Sequence, residues 1–151
     1  MNSEAATNPV EIAVLASTLV EEIQELFIKA EALPMRFMSA FTQTQSEDVK
    51  LYVRVFSSQH GHSRYIKTLG MQALNRQGRV LVISNVEFAP SLQSRGLLKA
   101  IVREAVARIE DLDIIEFENV LSAKLASDLA HHGYVLRDST IPFGSLYKTM
   151  R

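Results

Sequence analysis

Six residues, Ser91-Leu92-Gln93-Ser94-Arg95-Gly96, join an apolar β-branched run to an amphipathic one. Their position suits them to hold an anion. Val80, Leu81, Val82, Ile83, Val86 and Phe88 have the composition of a buried strand. Pro90 has no amide hydrogen for a ladder, so the strand is expected to end near Ala89. Beyond the loop, Leu97, Leu98, Ile101, Val102, Ala105, Val106 and Ile109 recur at helical spacing, with Lys99, Arg103, Glu104, Arg108 and Glu110 opposite. The first amides of a helix lack internal partners, and the positive end of its dipole adds to their attraction for phosphate. The same strand, loop and helix with one glycine also serve as a plain connection, and spacing alone leaves both readings open. Neither G-x-G-x-x-G nor G-x-x-x-x-G-K-[ST] is present.

Histidine offers less. His60 and His62 lie two apart in Ser58-Gln-His-Gly-His-Ser63 with no matching cluster of Cys, Asp or Glu, so polar loop residues and no metal are expected. His131 and His132 fall in what reads as the last turn of a helix, where partial positive charge suits the dipole.

The elements that must position the loop follow from periodicity. Asn8 and Pro9 start a helix expected to run to about Ala32, with a stripe of Ile12, Leu15, Leu19, Ile23, Leu26 and Ala30 widened by Ala16, Val20 and Phe27. That stripe covers a sheet or, being wide, also pairs with a second copy in a homodimer. Met1 to Asn8 reads as a loose tail. After Pro34, Met35 to Phe41 is expected to form a helical turn or two, with Phe37, Met38 and Phe41 reading as core at helical spacing. Alternation predicts a strand over Val49 to Ser57. A second strand is expected over Tyr65 to Leu74, in a hairpin with the central one through Asn75 to Gly78. Ile114 to Phe117 is expected to pair in parallel with the central strand, after a β–α–β return. A helix then ends at Gly133, and Tyr134 to Leu136 and Ser145 to Lys148 close the sheet.

Composition narrows the class. The chain has 151 residues, 47% of them hydrophobic, a formal net charge of −1 and no cysteine. That suits a single domain, 1–151, with a core of its own, and excludes disulfides and cysteine-bound metal. No global field draws the chain to nucleic acid or a membrane. No apolar run approaches a membrane span, and the N-terminus lacks the pattern of a secretory signal, so a cytoplasmic protein is expected.

Two segments carry a resemblance. Pro90 to Leu98 resembles the acetyl-CoA loop of the Gcn5-related N-acetyltransferases, the GNAT superfamily, which reads P-x-x-[QR]-x-x-G-x-[GA]. Gln93 and Gly96 match, whereas Leu98 replaces the usual small residue. Asn119 to Tyr134 resembles the second signature, an Asn-led helix ending in Gly-Phe or Gly-Tyr. The variant looks like small bacterial or phage-type members.

The resemblance implies an α/β fold with a mixed, mostly antiparallel sheet, flanked by helices and splayed between its fourth and fifth strands, here Val80–Phe88 and Ile114–Phe117. It implies acetyl-CoA as acyl donor and direct attack by an amine acceptor, a small molecule or peptide, in a pocket that Phe37, Met38 and Phe41 line where they are not core. By the same resemblance, backbone groups of Phe88 and Ala89 pair with the pantetheine arm. The amides of Gln93, Ser94, Arg95, Gly96, Leu97 and Leu98 hold the pyrophosphate, and Arg95 and Lys99 add charge. Glu87 takes the place of a general base acting through water or is a surface residue, and Asn119 bonds the pantetheine or a water. The usual acid, a tyrosine, falls at Leu129, which leaves Tyr134 and Tyr147 as replacements. Two further readings stand beside the enzyme: an inactive GNAT-like binding or regulatory protein, and a GNAT fold acting on a modified nucleotide or nucleic acid.

Overall fold

A computed structural model describes residues 9–44, 48–57, 59–88, 96–120, 122–138 and 144–150, with the backbone alone for residues 9, 59, 60 and 85–88. The chain opens with helix α1 (Pro9–Glu31), then strands β1 (Phe37–Gln43) and β2 (Val49–Phe56). A 3₁₀ turn (Gln59–Tyr65), the short helix α2 (Ile66–Leu69) and a second 3₁₀ turn (Gly70–Asn75) lead to β3 (Arg79–Phe88). Helix α3 (Leu97–Arg108), β4 (Leu112–Val120), α4 (Ala123–His131), β5 (Val135–Leu136) and β6 (Gly144–Thr149) complete it. The described strands form one mixed sheet in the order β1-β2-β3-β4-β6-β5, flanked by helices. Only β3 and β4 pair in parallel, as the connection through α3 requires. No helix among the described residues is long and apolar enough to cross a membrane.

The sheet is buried on both sides by unlike means. In β2, Val49, Leu51, Val53 and Val55 all face the main core. That core also takes Ala16, Leu19, Ile23 and Phe27 of α1 and Leu97, Ile101 and Ala105 of α3. Removing side chains of this size from water is the main force holding the helices down. In β3 the alternation splits: Leu81 and Ile83 join the main core, whereas Val80 and Val82 join a smaller cluster with Tyr65, Ile114 and Tyr147. The 59–75 segment covers that second face.

Several expectations are overturned. Residues 37–43 form a strand, not a helical turn, because Met38, Ala40 and Thr42 point inward at a period of two. Phe41 is 55% exposed and leans on Tyr52, at a centroid distance of 5.0 Å, so it is not core. Residues 65–74 are helical, not a strand: Tyr65, Leu69 and Ala73 recur every fourth residue, Tyr65 and Ala73 are buried, and Leu69 packs against the cluster of Tyr65 on the second face of the sheet. The antiparallel partner of the central strand is therefore β2, from Phe56↔Val80 to Val49↔Phe88, and not the expected hairpin strand 65–74. His62, expected in a polar loop, is fully buried. Gly133, at φ 89°, ends α4 as expected, with its amide donating to the Ala130 carbonyl at 3.1 Å.

Candidate active site

The parallel pair parts at one end. Register partners run from Arg79↔Leu112 to Ile83↔Phe117 and stop there, although β3 continues to Phe88 and β4 to Val120. Beyond that point β3 stays with β2 through Lys50↔Glu87 and Val49↔Phe88, while β4 stays with β6 through Val120↔Gly144. Residues 84–88 thus keep a ladder on one edge and have no β4 partner on the other. A break in register between Phe117 and Val120, with Asn119 at φ 60°, accompanies the divergence. Asparagine tolerates this left-handed geometry better than most residues.

The same end carries the start of α3. Gly96 is its N-cap at φ 78° and ψ 16°, and its carbonyl accepts from the Ala100 amide at 3.0 Å. The amides of Leu97, Leu98 and Lys99 precede the first internal bond of the helix. Nothing described lies within 4 Å of a Cβ built at position 96, so the glycine answers to backbone conformation rather than space. Leu97 is buried in the main core, Leu98 packs against its edge, and Lys99 is exposed. Leu98 thereby gives its side chain to the core and keeps its amide at the helix start. Ala89, Gln93, Ser94 and Arg95 lie outside the described residues.

Topology thus brings the backbone of Glu87 and Phe88, the first turn of α3 and the exposed Asn119 to one edge of the parallel pair. The two tyrosines separate. Tyr134 lies in the main core, its ring 5.6 Å from that of Phe117, the last paired residue of β4. Its hydroxyl is buried without a hydrogen-bond partner among the described residues, and burial pushes its pKa up to about 12. Tyr147 lies on the opposite face, 4.5 Å from the Tyr65 ring, with its hydroxyl 2.6 Å from Thr68 Oγ1. Leu129, at the position of the usual acid, is part of the main core.

A polar network, not singled out from the sequence, stands beside the opening. Ser84 and Glu118 follow the last β3–β4 pair, and Ser84 Oγ donates to Glu118 Oε1 at 2.9 Å. Arg54 donates to Glu118 Oε2, and Arg64 reaches Glu118 Oε2 at 3.1 Å and Glu116 Oε1 at 3.1 Å. Glu116 has no exposed surface; it also accepts from the Tyr65 hydroxyl at 2.7 Å and has Arg137 Nε 3.1 Å from Oε2. Burial pushes the Glu118 carboxyl up, but the Ser84 hydroxyl and the two guanidinium groups outweigh it, leaving its pKa below the ordinary value. Burial and the Glu116 carboxylate push the Tyr65 hydroxyl well above its ordinary value. The sequence signal was Glu116-Phe117-Glu118, acids alternating straight after the apolar pair Ile114-Ile115.

At the other end of the sheet, His62 Nε2 lies 2.9 Å from Asp113 Oδ2, while Arg76 donates to both oxygens of Asp113 at 2.9 and 2.7 Å. A cavity of about 750 Å³ also lies at that end, bounded by Glu31, Arg36, Arg79, Glu110 and Asp111 among others. Among the described residues no group of three or more His, Cys, Asp or Glu is placed to hold a metal ion.

No protein-family model matches the chain. No curated protein matches it either. Among solved structures it is similar to Arabidopsis thaliana NAA60 in complex with acetyl-CoA, with 12% identity and a TM-score of 0.45 over 87% of this chain and 93% of that one.

Proposed function

We propose that the protein is an acyl-CoA-dependent N-acetyltransferase of the GNAT type, with acetyl-CoA entering between β3 and β4. One observation carries the reading: the parallel ladder ends at Ile83↔Phe117 while β3 runs on to Phe88, toward the segment that opens α3 at a left-handed glycine. The edge of residues 84–88 then serves as a ladder for the amide-bearing pantetheine arm. The amides from Gln93 to Leu98 receive the pyrophosphate, with Lys99 and Arg95 adding positive charge.

The chemistry is direct transfer. The acceptor nitrogen attacks the thioester carbonyl, a C–N bond forms, the C–S bond breaks and CoA leaves as a thiolate. Holding both reactants in line supplies much of the acceleration, roughly 7–11 kcal/mol in favourable cases. The acceptor reaches the site as an ammonium and must lose a proton first. Glu87, at the end of β3, is the proposed base through water, and Asn119 a ligand of the pantetheine or of that water. Tyr134, with its unpartnered hydroxyl beside Phe117, is the better placed of the two candidate acids. Glu87→Gln is expected to keep acetyl-CoA affinity and lower kcat by about 10²-fold, less at high pH.

Leu129 supports the second reading, a GNAT-like protein that binds without transfer, because the position of the usual acid is filled by a core side chain. Isothermal titration separates the two from a chain with no donor site. Acetyl-CoA is expected to bind the wild type and Gly96→Asn, since asparagine accepts φ 78° without adding charge. Gly96→Asp has nearly the same shape and is expected to lose binding at least tenfold through repulsion of the phosphates. Equal affinity of the Asn and Asp variants rejects this placement of the donor. Binding without thiol release across a broad acceptor panel selects the second reading.

A further inference from the structure

We propose that Arg54, Arg64, Ser84 and Glu118 form the acceptor site, and that it takes an amine also bearing a carboxylate, the class of the α-amino acids. The inference rests on the donor site proposed above. Helix α3 packs on the main-core face of the sheet through Leu97 and Ile101. The network stands on the opposite face, because Arg54, Val82, Glu116 and Tyr147 are successive register partners across the sheet and Val82 and Tyr147 belong to the second cluster. A donor held at the start of α3 and threaded between the strands is met from that second face. Ser84 and Glu118 are the first side chains there beyond the last β3–β4 pair.

The charges select the acceptor. Three guanidinium groups, Arg54, Arg64 and Arg137, face two carboxylates, Glu116 and Glu118, leaving one positive charge in excess. Among the described residues Arg54 donates through one terminal nitrogen, to Glu118, and Arg64 reaches Glu116 and Glu118 through one terminal nitrogen. The Arg64 Nε is buried with no hydrogen-bond partner among the described residues. Each guanidinium has five N–H donors in a planar fork that fits a carboxylate, more than these bonds use. Glu118 has capacity as well: among the described residues Oε2 accepts from both arginines but Oε1 from Ser84 alone, which leaves Oε1 a place for an ammonium. Arg54 and Glu118 keep 23% and 17% of their side-chain surface exposed, so a ligand can reach them. A polyamine would meet the net positive charge with no carboxylate to offset it.

Saturation-transfer NMR, with and without CoA, tests this directly. Leucine, phenylalanine, glutamine and lysine are each compared with the α-amide and with the amine lacking the carboxyl group. At least one amino acid is expected to bind about tenfold or more tightly than its amide, the ratio of one charge-assisted hydrogen bond. Arg54→Gln should erase that preference, and Arg54→Lys should keep part of it. A thermal melt of each variant guards against misfolding; should Arg54→Gln unfold, the wild-type panel alone decides. Amides or simple amines that bind as well as the acids, or amino acids that bind in neither condition, overturn the proposal. An amino acid that binds to a protein unable to bind CoA leaves the acceptor site standing and removes the donor reading instead.

Discussion

Two tyrosines illustrate how little residue type says until partners are known. Tyr147 and Tyr134 are both buried, but the first shares a hydrogen bond with Thr68 and the second has no partner among the described residues. A buried orphan hydroxyl costs about 1–3 kcal/mol, whereas a made bond contributes about 1 kcal/mol. Tyr134→Phe is therefore expected to stabilise the fold by about 1 kcal/mol and Tyr147→Phe to destabilise it by about 1 kcal/mol in urea unfolding. Equal losses in both variants would contradict this assignment. A Tyr134→Phe protein that gains stability and loses turnover identifies the hydroxyl as kept for protonating the leaving thiolate. Asp113 sets an acid limit. Burial raises its carboxyl, but Arg76 and His62 outweigh burial and hold it below its ordinary value. Its contribution to stability is thus full above the unfolded pKa of about 3.9 and is lost as the pH falls through the lower folded value. Glu118 adds to the same trend. Asp113→Asn should cost about 2 kcal/mol at pH 7 and flatten the stability profile below pH 4. A profile unchanged from wild type in that range would rule Asp113 out as its source.

Gly61 sets how closely the 59–75 segment lies on the sheet. A Cβ there would stand 2.8 Å from Phe56 Cβ and 3.1 Å from Val80 Cγ2, nearer than either can allow without a shift. Gly61→Ala is expected to cost about 1–3 kcal/mol by overpacking, and to speed amide exchange across residues 59–75 before it affects α1. Exchange that rises evenly over the whole chain would contradict a segment docked through this contact. The same segment marks where the sequence was hard to read. Helix α1, β2, β3, α3 and the parallel return to β4 were legible because they carry a clear period or an apolar β-branched run, with boundary residues such as Pro9 and Pro90. Residues 37–43 were misread because Phe37, Met38 and Phe41 also fit a helical spacing, and the inward set includes the small Ala40 and polar Thr42. Residues 65–74 were misread because β-branched and aromatic types there obscured a period of four. At the site, the helix start and its glycine were legible as local backbone features. The network was not, because Glu118 finds partners 64 and 54 residues away, in Arg54 and Arg64.

At the scale of the molecule, the two faces of the sheet divide the work. One packs α1 and α3 over an apolar core and presents the start of α3, and the other carries the charged network and the 59–75 segment. The parted strands are where the faces meet. A net charge of −1 supplies little long-range attraction for an anionic donor, so its capture falls to local amides and cations. The central claim is that acetyl-CoA occupies the gap between β3 and β4. Hydrogen exchange with and without saturating acetyl-CoA tests it most directly, because residues 84–88 have no ladder partner from β4 and the first amides of α3 have none within the helix. Protection is expected at residues 84–88 and 97–99, with little change around Glu31, Arg36, Arg79 and Asp111 at the far end of the sheet. Protection confined to that far cavity, or none at all under saturating donor, would contradict the account.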